Sequence, residues 1–226
     1  MKYHLQKELD KIKEKLLTLG ALVEDRVYKA VRSIESKDEV VAKKIIEADN
    51  EIDEMEIELE EDCLKVLALH QPVAVDLRFI IAVIKINNDL ERVADQAVNI
   101  ASRVANISKR EKSEEFFHDY SLMEEKVEYM FVKSLDAFVN MDVSLAEKII
   151  KMDDEVDKLK GEAYDIIKDA MIKRSDQIGY LINFFLISRH LERIADYATN
   201  IAEEVIYLVE GKIVRHRDEY LYKGKL

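Results

Sequence analysis

Glu91 and Asp95 stand four residues apart, and so do Glu192 and Asp196. On a helix that interval projects both members of a pair from one face, one turn apart. Two more acidic pairs share it, Asp49 with Asp53 and Asp153 with Asp157. Like charges so placed repel by about a few tenths of a kcal/mol, with nothing local to offset the cost. A hard or borderline cation would turn that cost into binding, because carboxylate oxygens are the ligands such ions take. If the helices carrying the two pairs of each half are neighbours, four carboxylates surround one surface site per half. The competing reading is a solvated helix face. Asp and Glu fill 47 positions, so acidic pairs at this interval also arise from composition, and Arg92 and Arg193 can neutralise their neighbours. Recurrence of both pairs in both halves, while the residues between them drift, is what favours a cation.

Other chemistry finds little footing. Di-metal bundle enzymes use a Glu with a His three residues later, buried between facing helices, and no His follows Glu91 or Glu192 at that distance. Of the 5 histidines only His190 lies near a motif, two residues before Glu192 and on another face, which makes it a surface or interface residue. His70, beside Pro72, reads as a turn residue, and His4, His118 and His216 carry no pattern. No Gly-rich phosphate loop and no nucleophile elbow occurs. Asp76-Leu77-Arg78 reads as a local helix-end arrangement of an acid with a nearby base. Cys63, flanked by Leu64, Val66 and Leu67, is expected to be a buried, inert thiol. The run from Tyr180 to Ile187 is expected to be buried packing, with a partner-binding patch as the alternative for any part of it that is exposed.

The elements that must position these acids are long helices. Only 5 Gly and 1 Pro punctuate the chain, while Leu, Ile, Glu, Lys and Ala dominate it. Helical periodicity predicts six rods: about 5–36, 39–69, 73–108, 114–141, 143–173 and 177–210. Asp38 is a candidate N-cap, His70-Gln71-Pro72 a break, and Gly211 a C-cap. The chain beyond Gly211 is expected to be a loosely attached tail. Apolar positions from Val83 through Ile86, Leu90, Val93 and Ala97 to Val104 lie opposite the acidic stripe, which Asn88, Asn99 and Ser102 extend. The stripe should therefore face away from the core.

The two halves repeat each other. Leu90–Ala101 and Leu191–Ala202 differ only where Val93, Gln96 and Val98 meet Ile194, Tyr197 and Thr199. A second echo relates Ala42–Asp53 to Ala146–Asp157 at nearly the same separation. A duplicated three-helix unit follows, an all-α chain of two tandem three-helix bundles, with the boundary in the polar stretch 109–113 and domains of 1–110 and 111–226.

A net charge of -12 argues against nucleic acid or anionic lipid as a partner and suits cations or a basic protein surface. A lone cysteine fits a reducing compartment. No apolar run approaches the roughly 20 residues a membrane span needs, so membrane association is expected only through a partner, without direct insertion.

The doubled motif resembles the PhoU family. The carrying residues are Asp76-Leu77-Arg78 leading into Leu90-Glu91-Arg92-Val93-Ala94-Asp95 with Asn99-Ile100-Ala101, then the second copy and its continuation from Glu203 to Gly211. Many members have Gly where this chain has Ala94 and Ala195, a departure that favours the helix and leaves the carboxylates in place. The resemblance implies two three-helix bundles about a pseudo-twofold axis and a non-catalytic negative regulator of phosphate uptake and phosphate-starvation signalling. It implies an adaptor between the ATPase subunit of a phosphate importer and a sensor histidine kinase, cytoplasmic and peripheral to the inner membrane. A homodimer is expected. Some members bind iron or zinc through this motif, which implies Glu91 with Asp95 and Glu192 with Asp196 as ligands. Asp49, Asp53, Asp153 and Asp157 join them by the internal repeat. A carboxylate-bridged metal enzyme or metal-handling protein, and a metal-free helical adaptor for another transport system, stand as alternatives.

Overall fold

In the computed structural model, which describes residues 2–48, 50–109 and 116–214, the chain is helical throughout. Helices α1 (Lys2–Ser36), α2 (Glu39–Glu47), α3 (Asn50–His70) and α4 (Ala74–Ser108) form the first unit. Helices α5 (Ser121–Asn140), α6 (Val143–Lys173) and α7 (Ile178–Glu210) form the second, with one turn of 3-10 helix (Ser175–Gln177) between α6 and α7. Among the described residues there is no strand. Each unit is a three-helix bundle once α2 and α3 are counted as one rod. The longest helices run about 50 Å at 1.5 Å per residue. The proposed domain boundary after residue 110 lies outside the described residues.

The bundles repeat down to their turns. Lys37 and Met141 both take a left-handed backbone, with φ of 48° and 53°. Each is followed by an aspartate that caps the next helix. Asp38 Oδ1 accepts the backbone N–H of Val40 at 2.8 Å and of Val41 at 3.1 Å. Asp142 Oδ1 accepts that of Leu145 at 3.0 Å and the Ser144 hydroxyl at 2.8 Å. These caps satisfy donors that a helix start leaves unpaired. Asp38→Ala is expected to cost about 1 kcal/mol, read as a shift of the urea midpoint at constant m-value. Gly211 closes α7 in the left-handed conformation, φ 71°.

Three expectations need correction. The second rod is not continuous: α2 stops at Glu47 and α3 starts at Asn50. The buried Arg26 guanidinium of α1 donates to the Ala48 carbonyl, withdrawing an acceptor from the helical ladder at that point. Helix α5 starts at Ser121 instead of near Glu114, because Asp119 accepts the backbone N–H and hydroxyl of Ser121 at 2.9 and 2.6 Å while the Tyr120 hydroxyl donates to the Phe184 carbonyl at 2.5 Å. The tail is not loose from its start, for Val214 is buried in the core. Residues 215–226 lie outside the described residues.

Helices α4 and α7 form the most extensive pair in the molecule and join the two bundles. Ile86, Leu90, Val93, Ala97 and Ile100 of α4 are fully buried, as are Leu191, Ile194, Ala198 and Ile201 of α7. The two helices run antiparallel, as their polar contacts show. Lys85 Nζ lies 3.1 Å from both oxygens of Glu204, Asp89 Oδ1 3.5 Å from Asn200 Nδ2, and Gln96 Oε1 2.9 Å from His190 Nδ1. Helices α1 and α5 also touch: a Cβ on Gly20 would stand 3.2 Å from Leu135 Cδ1, so the glycine permits that approach. Arg78 reaches across to α7, where a Cβ on Gly211 would lie 3.6 Å from its Nη1. It is thus no local helix-end residue but a cation at the negative end of a neighbouring helix. None of the described helices is long and apolar enough to cross a membrane.

Candidate metal-binding acidic clusters

The repeat places each acidic pair of α4 and α7 beside the acidic segment of the preceding rod. In the first bundle, Glu91 and Asp95 of α4 lie near Asp53 and Glu56 of α3. Glu91 is half-buried, and its carboxyl is pushed above the ordinary glutamate range by burial first and then by the charges of Asp95, Asp53 and Glu56. Glu56 is raised in the same direction by burial and by Glu60 and Asp53. Among the described residues Glu91, Glu56 and Asp53 have no hydrogen-bonded or ion-paired side-chain partner, although Arg92 moderates the charge on Glu91. Asp49, expected to pair with Asp53, lies outside the described residues.

In the second bundle, Asp153 and Asp157 of α6 lie near Glu192 and Asp196 of α7. Burial, then the charges of Asp196, Asp157 and Glu192, push Asp153 up to about 7. Partial shielding from water and the neighbouring Glu192 and Asp157 raise Asp196 to about 6. One residue here escaped the sequence reading. Lys160 Nζ lies 2.5 Å from Glu192 Oε1 and 3.6 Å from Asp157 Oδ1, an ammonium seated among the carboxylates. Its signal was present in the sequence, because extending the echo of Ala42–Asp53 and Ala146–Asp157 by three residues aligns Lys160 with Glu56.

The acidic stripes do face away from the apolar core, yet they do not stand on open helix faces. Each lies along a neighbouring helix, with Glu91 and Glu192 half-buried. Shielding there makes mutual repulsion costlier than on a solvated surface. The donors are oxygen only, a set suited to ions of the manganese, magnesium or calcium type and serviceable for iron or zinc. Among the described residues no group of three or more Asp, Glu, His or Cys side chains stands ready to hold a single ion. Holding one therefore requires side-chain rotations that bring oxygens of Glu91, Asp95 and Asp53 together.

The remaining candidates fall away from this chemistry. His190 sits between α7 and α4 against Gln96, and burial with Arg103, Arg193 and Arg189 nearby drives its ring down to about 4, so it stays neutral at physiological pH. Cys63 is buried, and burial pushes its thiol up to about 12, which leaves it inert. Tyr180, Leu181, Phe184 and Ile187 are buried packing, while Ile182 is exposed.

The model of the PhoU domain matches residues 16–104 and 120–205, one match per bundle. The chain is 35% identical over 214 residues to a phosphate-specific transport system accessory protein PhoU homolog of Clostridium acetobutylicum, covering 94% of this chain and 97% of that one. It is similar to the crystal structure of PhoU from Pseudomonas aeruginosa, with a TM-score of 0.87, 35% identity and coverage of 92% and 99%. The phosphate transport system regulatory protein PhoU from Streptococcus pneumoniae gives a TM-score of 0.83 at 31% identity, with coverage of 93% and 99%.

Proposed function

The chain belongs to the PhoU family, and from that premise we propose that it is the accessory protein of a phosphate-specific transport system. The observation that carries this reading is the match of both bundles, over nearly the full length of relatives named for that role. In finer detail, it acts as a non-catalytic adaptor. It bridges the ATPase subunit of a phosphate importer and a sensor histidine kinase on the cytoplasmic face, and so restrains starvation signalling when phosphate is plentiful. A homodimer is the proposed working unit.

The acidic clusters serve that role as charge-controlled docking surfaces. Glu91, Asp95 and Asp53 would hold an ion in the first bundle, and Glu192, Asp196, Asp153 and Asp157 are the corresponding groups in the second. A bound divalent or trivalent ion, iron or zinc among the candidates, would supply positive charge that cancels carboxylate repulsion and changes which protein surface the cluster can meet. Every other part of the reading rests on the helices: they hold the acidic stripes at fixed spacing on a rigid two-bundle frame, and α4 and α7 carry one cluster each.

The test is to tag the protein in its source cells, grown with ample phosphate, and identify what co-purifies. Recovery of the importer's ATPase subunit or of the kinase is expected. Reproducible recovery of neither sinks the adaptor reading and moves the chain towards another transport system. Replacing Glu91, Asp95, Glu192 and Asp196 with Ala is expected to abolish tight metal binding, measured as metal per chain after purification from a metal-replete source. Unchanged stoichiometry removes these residues as ligands.

A further inference from the structure

We infer that the seam between α4 and α7 carries an oxyanion site on one of its two faces, where Arg103, Arg189 and Arg193 gather to take a phosphate group, either the free ion or that of a nucleotide. The site does not depend on metal at the acidic motifs.

The internal repeat exposes it. Aligning Leu90 with Leu191 pairs Ile86 with Ile187 and Val104 with Val205, and all of these are buried. The matching alignment of α3 with α6 pairs Ile52 with Val156 and Leu59 with Ala163, again all buried. Equivalent helix faces therefore line the seam twice. On the first face they border an open cleft, in which the acids Glu56, Glu60, Asp89, Glu203 and Glu204 accompany Lys85 and Arg92. Cation meets anion there, with Lys85 3.1 Å from the buried Glu204. At the equivalent positions of the second face every one of those acids is gone. Lys160, Tyr164, His190, Ser102 and Arg103 stand in their places, Arg193 matches Arg92, and Arg189 replaces Asn88.

The fold brings these residues together. Arg103 of α4 and Arg189 and Arg193 of α7 lie around His190, whose Nδ1 is 2.9 Å from Gln96 Oε1. The rings of Tyr164 and Phe185, counterparts of Glu60 and Ile84, meet edge to face with centroids 5.7 Å apart. Lys160 is committed to Glu192 at 2.5 Å, so that acid is already engaged. Among the described residues Arg103, Arg189 and Arg193 make no hydrogen bond or ion pair, and the buried Nε of Arg103 has no partner. In a chain with 47 acids and a net charge of -12, three unpaired guanidinium groups around one ring mark a place for an anion from outside. The planar fork of arginine matches phosphate oxygens two at a time, and a dianion balances more than one guanidinium where a carboxylate balances one. An acceptor entering the site also satisfies the buried Nε, whose loss of water nothing in the described fold offsets.

The experiment is calorimetric titration of the full chain, freed of metal and then of chelator, in chloride buffer of fixed ionic strength. Inorganic phosphate is the probe in one series and ATP in the other, for wild type, Arg103→Gln, Arg189→Gln and Arg92→Gln. Wild type should bind one equivalent. Arg103→Gln and Arg189→Gln should each weaken binding at least about tenfold. Arg92→Gln, on the opposite face, should match wild type. Arg189 and Arg92 are both exposed, so their replacement leaves the core intact. Binding of inorganic phosphate assigns the site to the free ion, binding of ATP alone assigns it to a nucleotide phosphate, and either supports the inference. Equal weakening in all three variants shows a response to net charge and overturns it. Failure of both probes to bind overturns it too, as does binding that returns only when metal is restored.

Discussion

Phe138→Ala is expected to cost about 3–5 kcal/mol of stability. Phe138 is fully buried in α5, and its ring stacks on Phe79 of α4 with centroids 6.3 Å apart and planes inclined by 21°. Truncation removes a large apolar side chain from water-free surroundings and leaves a cavity that rigid helices close only in part. It also deletes an aromatic contact between the two bundles, worth about 0.5–1.5 kcal/mol beyond area burial. Urea unfolding should show a lower midpoint at unchanged m-value. Val139→Ala, one residue on and 39% exposed, should stay within about 0.5 kcal/mol of wild type. A Phe138→Ala midpoint equal to that control would show that the core does not run through this position.

The second large effect is a dependence on pH set by Glu124 of α5. Its side chain is 5% exposed, and Oε1 has no hydrogen-bond partner. Burial first, then the charges of Glu35 from α1, Glu128 on α5 and Asp119, push its carboxyl up to about 7, with Arg32 of α1 offsetting part of the repulsion. In the unfolded chain the group titrates near its ordinary 4.5. Between those values the folded state holds a proton that the unfolded state has released. Stability from this group is therefore fully present below the unfolded value, falls as pH rises through the window to about 7, and is lost above it. The loss is on the order of 3 kcal/mol.

Asp153 and Asp196 act in the same direction, so the comparison that isolates Glu124 is Glu124→Gln against wild type at pH 5 and pH 8. The variant should lack most of the decline and should be more stable than wild type at pH 8. Parallel profiles for the two proteins would show that Glu124 does not titrate in this window. Glu124 also illustrates what patterning hides. Its position on α5 reads as one more acidic residue in a chain with 47, and only the packed fold buries it and brings Glu35 and Arg32 of α1 beside it.

The clusters show the same division. That Glu91 with Asp95, and Glu192 with Asp196, share a helix face follows from the four-residue interval, because helix geometry is local and periodic. The duplicated architecture was legible for the same reason: repeated sequence must bury the same apolar face twice. The ends of helices were legible where a side chain caps its own backbone, as at Asp38, and where Gly211 turns left-handed. The break at Ala48 was not. It depends on Arg26, far back in α1, competing for one carbonyl, and a contact across that separation leaves no periodic trace.

By itself, then, the sequence determined a helical chain, its duplication, and two acidic motifs each held on one helix face. Hydrogen bonding and apolar spacing within a few turns suffice for these. Only the tertiary structure decided which carboxylates meet across helices, how far each is shielded from water, and where the cation sits. Lys160 reaches Glu192 because α6 and α7 pack side by side, whereas Glu56 lies near Glu91 and adds to the charge that raises it. Coulomb energies depend on distance and shielding in three dimensions, and spacing along the chain fixes neither beyond a turn or two.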